Sequence, residues 1–429
     1  WEGPSGLLAV AKGAPEAIAA MCELTDVQVD QFERELGKLS SNGQKVIACA
    51  FRDTLPGSKE PSDGFTFAGL IGIADPVRAG VHNAVQSAIR AGIRVIMVTG
   101  DHPLTAEAIA RAAGLAEMPL VISGEELERR LAAGERSLLR TLNVVARAAP
   151  GQKAKLVEAL REDGTVTAVT GDGVNDVPAL KAANIGIAMG MRGTQSAREV
   201  ASIVLMDDNF ATIVKAIAEG RQLFDNLRRS FAFLLIVHIP LVTTAAAIPL
   251  LNFPLLYLPI HIVLLELFIH PAAILGFQQK PGPAIPNNGR QRRGFFDARQ
   301  LAAIGVSGLA VTIGTGGQFV ASLMEGESTD YARTLAFFVL LASLAATLAI
   351  LSRLRNYSSW AVVGAAAAFV AAVAVIPGVA DWFDLTTVGL KAGLFAAGIG
   401  AVAAFPARLL GTQDSAMTHQ GDPAALLAQ

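Results

Sequence analysis

The pattern of apolar and polar positions divides the chain in two. Over residues 1–229, short β-rich runs alternate with helix-like segments: LLAVAKG, KVIACAFR, FTFAGLIGI, RVIMVTGD, TVTAVTGD and IGIAMG. Strands alternating with helical patterns predict βαβ units and a mostly parallel sheet. Two of these strands, 94–99 and 165–170, run directly into Gly-Asp. That puts an acidic residue just past the carboxyl end of a strand, where ligands bind in open α/β sheets. From Ser230 the pattern changes, and Glu266 is the only charged residue before Gln278. A bilayer core of about 30 Å needs about 20 apolar residues per helix. The apolar runs therefore predict six spans, roughly 231–250, 255–277, 300–323, 333–352, 358–378 and 385–406.

Loop charges orient these spans. Arg228, Arg229, Lys280, Arg290, Arg292, Arg293, Arg353, Arg355 and Arg408 fall at every second loop, which is expected to be cytosolic. The intervening loops carry Glu325, Glu327, Asp330, Asp381 and Asp384, with Arg333 as the exception. The α/β half is thus expected in the cytosol, and the membrane is expected to be the cell (plasma) membrane. The stretch 281–294 reads as a cytosolic loop, and the tail 411–429 as disordered.

Composition sharpens the division. The 429 residues are 52% hydrophobic and only 17% charged, with mean hydropathy +0.45. Soluble domains usually carry about 25% charge. A net charge of −2 gives no overall pull toward nucleic acid, so no nucleic-acid partner is expected. Two cysteines, Cys22 and Cys49, make neither a disulfide framework nor a metal cluster. The chain opens at WEGPSGLLAV without an initiator Met, which reads as a fragment or a truncated gene product.

Three loops carry candidate chemistry. In TGDGVNDVPAL (170–180), Asp172 and Asp176 stand four apart in a Gly-rich turn after a strand, with Asn175 between them. Mg²⁺ is commonly held by one or two carboxylates plus water and substrate phosphate; the alternative is an ordinary helix-capping turn. In VTGD, the Thr99 hydroxyl and the Gly100 amide can donate to a phosphoryl oxygen beside Asp101. In RAAPGQKAKLVEAL (147–160), Lys153 begins a predicted helix, where a cation is unfavourable for the helix dipole unless it is aimed at an anion. In the membrane half Glu266 is a functional candidate by default. His270 shares its helix face, and Pro271 removes a backbone hydrogen bond. His238 and His261 read first as hydrogen-bonded interhelical histidines, with His238 and Pro240 lining the Glu266 cavity as the second reading.

Taken in order, these blocks resemble the second half of a P-type cation-transporting ATPase of the calcium/cation branch. KGAPE (12–16), ADPVR (74–78, with Val77 for the family's second Pro), VTGD, ARAAPGQK (146–153), TGDGVNDVPAL and MGMRGTQSAREVASIVLMDDNFATIV (189–214) follow the family's sequence, as do six membrane spans. The resemblance implies an α/β haloacid dehalogenase-like (Rossmann-like) phosphorylation domain over 71–229. It implies a partial nucleotide-binding domain over 1–70 and an all-α six-helix transmembrane domain over 230–410. It implies Mg²⁺ at Asp172, supported by Asp176 and Asn175, and a phosphoryl group positioned by Thr99, Gly100 and Asp101 and neutralised by Lys153. It also implies ATP as substrate, near Lys12, Lys45 and Arg147. Lys45 stands where the family often has Arg, which keeps the charge but not the bidentate fork.

The partners implied are a transported cation, the lipid bilayer and the upstream half of the same protein. The family's DKTGT nucleophile, its TGE loop and its first four spans do not occur in these residues. The chain alone is therefore expected to be inactive. The 259–277 stretch resembles an ion-binding helix in which ELxxDP is frequent; His270 replaces that Asp, which weakens the case for Ca²⁺ and suits a softer divalent ion or proton exchange. The absence of Cys-Pro-Cys and the six spans speak against the heavy-metal branch. Two other readings remain, a non-catalytic membrane remnant or regulatory partner and a membrane-anchored phosphatase of the same superfamily.

Overall fold

The structure, a computed structural model, describes residues 2–3, 6–54, 61–74, 76–278, 295–411 and 424–428. Asp75 of the ADPVR block, the loop 281–294 with its basic residues, and most of the tail lie outside the described residues. The chain forms two compact units, 1–217 with 421–429, and 218–420.

The first unit holds two sheets. A four-stranded antiparallel sheet is built from β1 (Glu2–Gly3), β2 (Gly6–Gly13), β3 (Gln44–Thr54) and β4 (Thr66–Ala74), in that order. Its helix Asp26–Ser41 starts in a capping box, Thr25 N–H donating to Gln28 Oε1 at 2.9 Å. The second sheet is parallel throughout, in the order β10-β9-β8-β11-β5-β7-β6. Its strands are β5 (Ile93–Val98), β6 (Val121–Ser123), β7 (Val144–Ala146), β8 (Thr167–Gly171), β9 (Ile185–Met189), β10 (Ile203–Leu205) and β11 (Ala424–Ala428). In β5 all residues but Arg94 are buried, as expected of a strand covered on both faces. Ile96, Val98, Leu156, Leu160, Val169 and Leu180 belong to one core beneath it. The tail, expected to be irregular, includes β11, a five-residue strand inside this sheet.

The second unit is helical. Among the described residues five helices are long and apolar enough to cross a membrane: Phe210–Leu250, Ala298–Met324, Thr329–Ser352, Tyr357–Val375 and Gly389–Leu410. The expected second span is a shorter apolar helix of 17 residues, Pro259–Leu275. Pro259 takes the first turn of this helix, where proline is favoured, and the left-handed Asn252 ends the segment before it. The six expected spans are therefore five long helices and one short one. The first also runs through the expected boundary at 229/230, as a single 41-residue helix from Phe210. The charged residues of 210–229 change the solvent that the helix suits without breaking its backbone.

Polar groups join these helices. Ser230 donates to the Ala273 carbonyl at 2.7 Å, and Ser359 to the Gly276 carbonyl at 2.8 Å. Ser343 donates to the Gly400 carbonyl at 3.0 Å. Such small-residue contacts let backbones approach where burial of apolar area cannot drive association. At Gly400 the approach is closest: a Cβ there would stand 2.3 Å from the Val339 carbonyl oxygen. Gly400→Ala is expected to lower stability in detergent by about 1–3 kcal/mol through overpacking; an unchanged unfolding midpoint would show that this helix pair does not pack as described.

Candidate active site at the carboxyl edge of the parallel sheet

β8 ends at Gly171, and the chain turns through Asp172–Asn175 into a short helix at Val177–Ala182. Asp176 shapes this turn. It is 2% exposed, and one carboxylate oxygen, Oδ1, lies 3.1 Å from Nζ of Lys153. The other, Oδ2, accepts from the amides of Asp172 at 3.2 Å and Gly173 at 3.1 Å. A Cβ on Gly171 would meet Cβ of Asp176 at 2.5 Å, so the close approach requires glycine. With both oxygens of Asp176 engaged, Asp172 is the aspartate with an exposed carboxylate at the strand end. Asn175 is exposed on the same turn.

β5 ends in the Thr99-Gly100-Asp101 turn. The Thr99 hydroxyl donates to Asp101 Oδ2 at 2.9 Å and accepts from the Asp101 amide at 3.1 Å. The hydroxyl expected to meet a phosphoryl oxygen thus braces its own turn, while Gly100 is exposed. The loop after β7 is laced to this turn: Ala148 N–H donates to the Thr99 carbonyl at 2.9 Å, and Arg147 N–H to the Asp101 carbonyl at 3.1 Å. Arg147 has a left-handed backbone, φ 51°, which a non-glycine residue holds only under tertiary constraint. The helix Pro150–Glu162 follows at once and delivers Lys153 to Asp176. One chain of contacts therefore runs from Asp101 through Arg147 and Lys153 to the Asp172 turn. β5 and β8 are two strand spacings apart, about 10 Å, with β11 between them, and both acidic turns stand on the carboxyl edge of the sheet.

The nucleotide-contact candidates gather beside Asp101. Lys12, Lys45, Arg147, Gly100, Asp101 and His102 line a cavity of about 330 Å³, within the range of small-molecule sites. Lys45 Nζ lies 3.7 Å from Asp101. Thr105, on the helix Pro103–Ala112, donates to the Gln44 carbonyl at 3.0 Å and ties the two sheets' elements together here. Two residues to which sequence reasoning gave no role complete the cluster: Glu16, bonded to the Arg147 guanidinium, and His102, 3.4 Å from Glu16. Glu16 lies within the KGAPE block and His102 follows Asp101 directly, but only folding brings them together. Partial burial pushes the Glu16 carboxyl up, yet the Arg147 hydrogen bond and charge outweigh it and hold the group below the usual carboxylate range. Burial pushes His102 down, against the pull of Glu16, and so favours neutral imidazole.

Among the described residues no three His, Cys, Asp or Glu side chains converge as a metal cage. One open carboxylate at Asp172 still fits Mg²⁺, which keeps waters and takes substrate phosphate as ligands. In the helical unit, Glu266 meets two histidines. His238 Nε2 lies 3.4 Å from Oε1, and His270 Nδ1 lies 2.9 Å from Oε2. His238 Nδ1 also lies 2.8 Å from the Leu234 carbonyl, a contact within its own helix and not the interhelical hydrogen bond expected. Oε2 is buried and receives no well-directed hydrogen bond, despite its short distance to His270. An oxygen of that kind suits a cation. His261 is a fully buried histidine, 2.8 Å from the Phe383 carbonyl, which lies in the turn after the short helix Pro377–Asp381 and not in a helix.

Comparison with known proteins adds the following. Residues 9–184 match a family model for haloacid dehalogenase-like hydrolases, as do residues 153–217 in a second such model. Residues 254–410 match the model for the cation transporting ATPase C-terminus. A calcium-transporting ATPase of Bacillus subtilis is 34% identical over 350 residues, which cover 77% of this chain and 39% of that protein. The sodium/potassium-transporting ATPase subunit alpha-2 of Gallus gallus is 36% identical over 59% of this chain and 30% of its own length. Calcium-transporting ATPase 1 of Yarrowia lipolytica is 40% identical over 52% of this chain and 26% of its own length. The chain thus spans about two fifths, or less, of the length of these relatives.

The Glu16–Arg147 contact is open to titration. In Arg147→Ala the Glu16 carboxyl should titrate at higher pH than in the parent, read by carboxyl ¹³C NMR of labelled protein. Because the folded value is lowered, the stabilisation is present above the unfolded pKa of the group and is lost as pH falls through the folded one. Glu16 is half exposed, so screening keeps this below about 1 kcal/mol. An unmoved titration would remove Arg147 as the cause.

Proposed function

The chain belongs to the P-type cation-transporting ATPases and represents a carboxyl-terminal portion of such a pump; from that premise we propose that it supplies the phosphoryl-handling loops and an ion-binding membrane region for ATP-driven cation transport. The observation that carries this reading is the pair of braced Gly-Asp turns at the carboxyl ends of β5 and β8. They stand on one edge of the sheet, with a cation-lined cavity beside the Asp101 turn.

In this reading Lys12, Lys45 and Arg147 bind the polyphosphate of ATP, and the ion pairs to Asp101 and Glu16 open as the nucleotide enters. The Gly100 amide and the Thr99-Asp101 turn orient the transferred phosphoryl group. Lys153 neutralises charge at this edge while it holds Asp176, and Asp176 sets the turn that points Asp172 outward. Asp172 holds Mg²⁺, with Asn175 beside it. Bound there, the ion would supply charge neutralisation for the phosphoryl oxygens. Phosphoryl transfer depends mainly on positioning and electrostatics, and that is what these residues offer. The acceptor carboxylate is not among the motifs of these residues and belongs to the remaining part of the pump.

In the membrane region Glu266 binds the transported cation, with His270 on the same helix face. An imidazole where a second carboxylate would serve Ca²⁺ suits a softer divalent ion or proton exchange. Alternating basic and acidic loops support a cytosolic α/β half, with Arg228, Arg229, Arg353, Arg355 and Arg408 on the cytosolic side of the plasma membrane.

Two measurements test this. The 429-residue polypeptide by itself should hydrolyse ATP at background; vanadate-sensitive turnover would refute the assignment of the acceptor to another segment. In the full-length pump, Glu266→Gln should abolish ion-dependent phosphorylation from ATP while leaving phosphorylation from inorganic phosphate; unchanged ion affinity would remove Glu266 from the transport site.

A further inference from the structure

Glu16 and His102 form an acid–base pair beside the cation-lined cavity, and the two differ in access to it. His102 lines the cavity with Lys12, Lys45, Asp101 and Arg147, whereas Glu16 does not. Glu16 lies in the first turn of the helix Pro15–Met21 and bridges two partners. Its Oε2 accepts from the Arg147 guanidinium, and its Oε1 lies 3.4 Å from His102 Nε2. His102 is the N-cap of the helix Pro103–Ala112, and its Nδ1 accepts from the Leu104 amide at 3.3 Å. An accepting Nδ1 puts the ring proton on Nε2, toward Glu16, and leaves the imidazole neutral. Burial keeps it neutral, and the Arg147 charge adds to that, against the pull of Glu16. The charged groups around the ring are Glu16, Asp101, Arg147, Lys12 and Lys45, so cations outweigh carboxylates. A polyphosphate in the cavity reverses this balance. It brings several negative charges to the ring and draws Arg147 off Glu16, which keeps His102 as its partner. Both changes favour imidazolium. The added proton goes to Nδ1 and breaks the bond from Leu104. That bond is long and belongs to an exposed residue at a helix start, where water can replace it.

Resting on the proposed function, we propose that His102 is a proton-linked ligand of the nucleotide polyphosphate, which takes one proton from solvent as the polyphosphate draws Arg147 away from Glu16. Glu16 touches no ligand and is a positioning residue: it holds Arg147 in the free protein and the imidazolium in the complex. Linkage fixes the sign. His102 has a lowered pKa in the free protein and a raised one in the complex. The gain in binding is therefore full below the free value and is lost as pH rises through the raised one. Nucleotide affinity should fall with rising pH on either side of the ordinary imidazole value, about 6.5.

Isothermal titration calorimetry of the full 429-residue chain in detergent tests this, with ATP and, separately, inorganic tripolyphosphate as probes. Buffers of different ionisation enthalpy report the protons exchanged on binding. His102→Asn is the reference, because asparagine also caps a helix but does not titrate. Protons released by the terminal phosphate of the probe are common to both proteins, so their difference reads His102. At about pH 7 the parent should take up about half a proton to one proton more per anion than His102→Asn. From about pH 6 to about pH 8 its affinity, relative to that variant, should fall about tenfold. Glu16→Gln should reduce the extra uptake, because the ring loses its partner. Equal proton exchange in parent and His102→Asn, with binding intact, overturns the proposal and leaves the nucleotide reading standing. Unreduced uptake in Glu16→Gln overturns the handover of Glu16 from Arg147 to His102. No binding of either probe by the parent at any of these pH values overturns the nucleotide reading, and this inference falls with it.

Discussion

The arrangement depends on one buried carboxylate. Asp176 takes an ammonium on one oxygen and two backbone amides on the other, and the three contacts fix the turn after β8. An isolated buried carboxylate would be costly; paired in this way it becomes a rigid post. The exposed Asp172 follows from it, as does the need for Gly171 and the anchoring of the helix Pro150–Glu162. The same helix begins where the Arg147 loop is laced to the Asp101 turn, so one ion pair couples two strand-end loops that are distant in sequence. Removing Lys153 would disturb charge and shape together, so its charge and its structural role have to be separated by experiment.

The helical unit solves a related problem in a different solvent. A lone carboxylate in an apolar helix needs partners, and Glu266 has an imidazole from its own helix and one from the helix Phe210–Leu250. Neither histidine satisfies Oε2 by direction as well as distance. Glu266 is thus paired through Oε1 and stands close to an imidazole at Oε2. Elsewhere the helices are held by hydroxyl-to-carbonyl bonds and by glycines at close crossings, so the packing draws on other residues than Glu266.

Much of this was legible in the sequence, because the signals were local. Val and Ile runs ending in Gly-Asp announced β5 and β8, and uncharged runs announced the helices. What escaped were features set by tertiary context. The engagement of Asp176 Oδ1 by Lys153 depends on a helix that starts 26 residues earlier. The contact of Glu16 with Arg147 spans 131 residues. The 41-residue helix ignores the change in composition at 229/230, because helix propensity does not distinguish water from lipid. The short helix at Pro259–Leu275 is set by proline and by a left-handed Asn252, not by hydropathy. β11 was the least legible element: AALLA carries no strand signal, and only an unfilled slot in the sheet explains why it is extended.

The central claim is that the Asp101 and Asp172 turns serve one metal–phosphate site. The direct test replaces Mg²⁺ with Fe²⁺ in the presence of ATP and maps the oxidative backbone cleavage that the bound iron causes. Cuts should appear near both 99–101 and 172–173 and disappear together in Asp172→Asn. Cuts at one turn only, or cuts near 99–101 that survive the substitution, would contradict it.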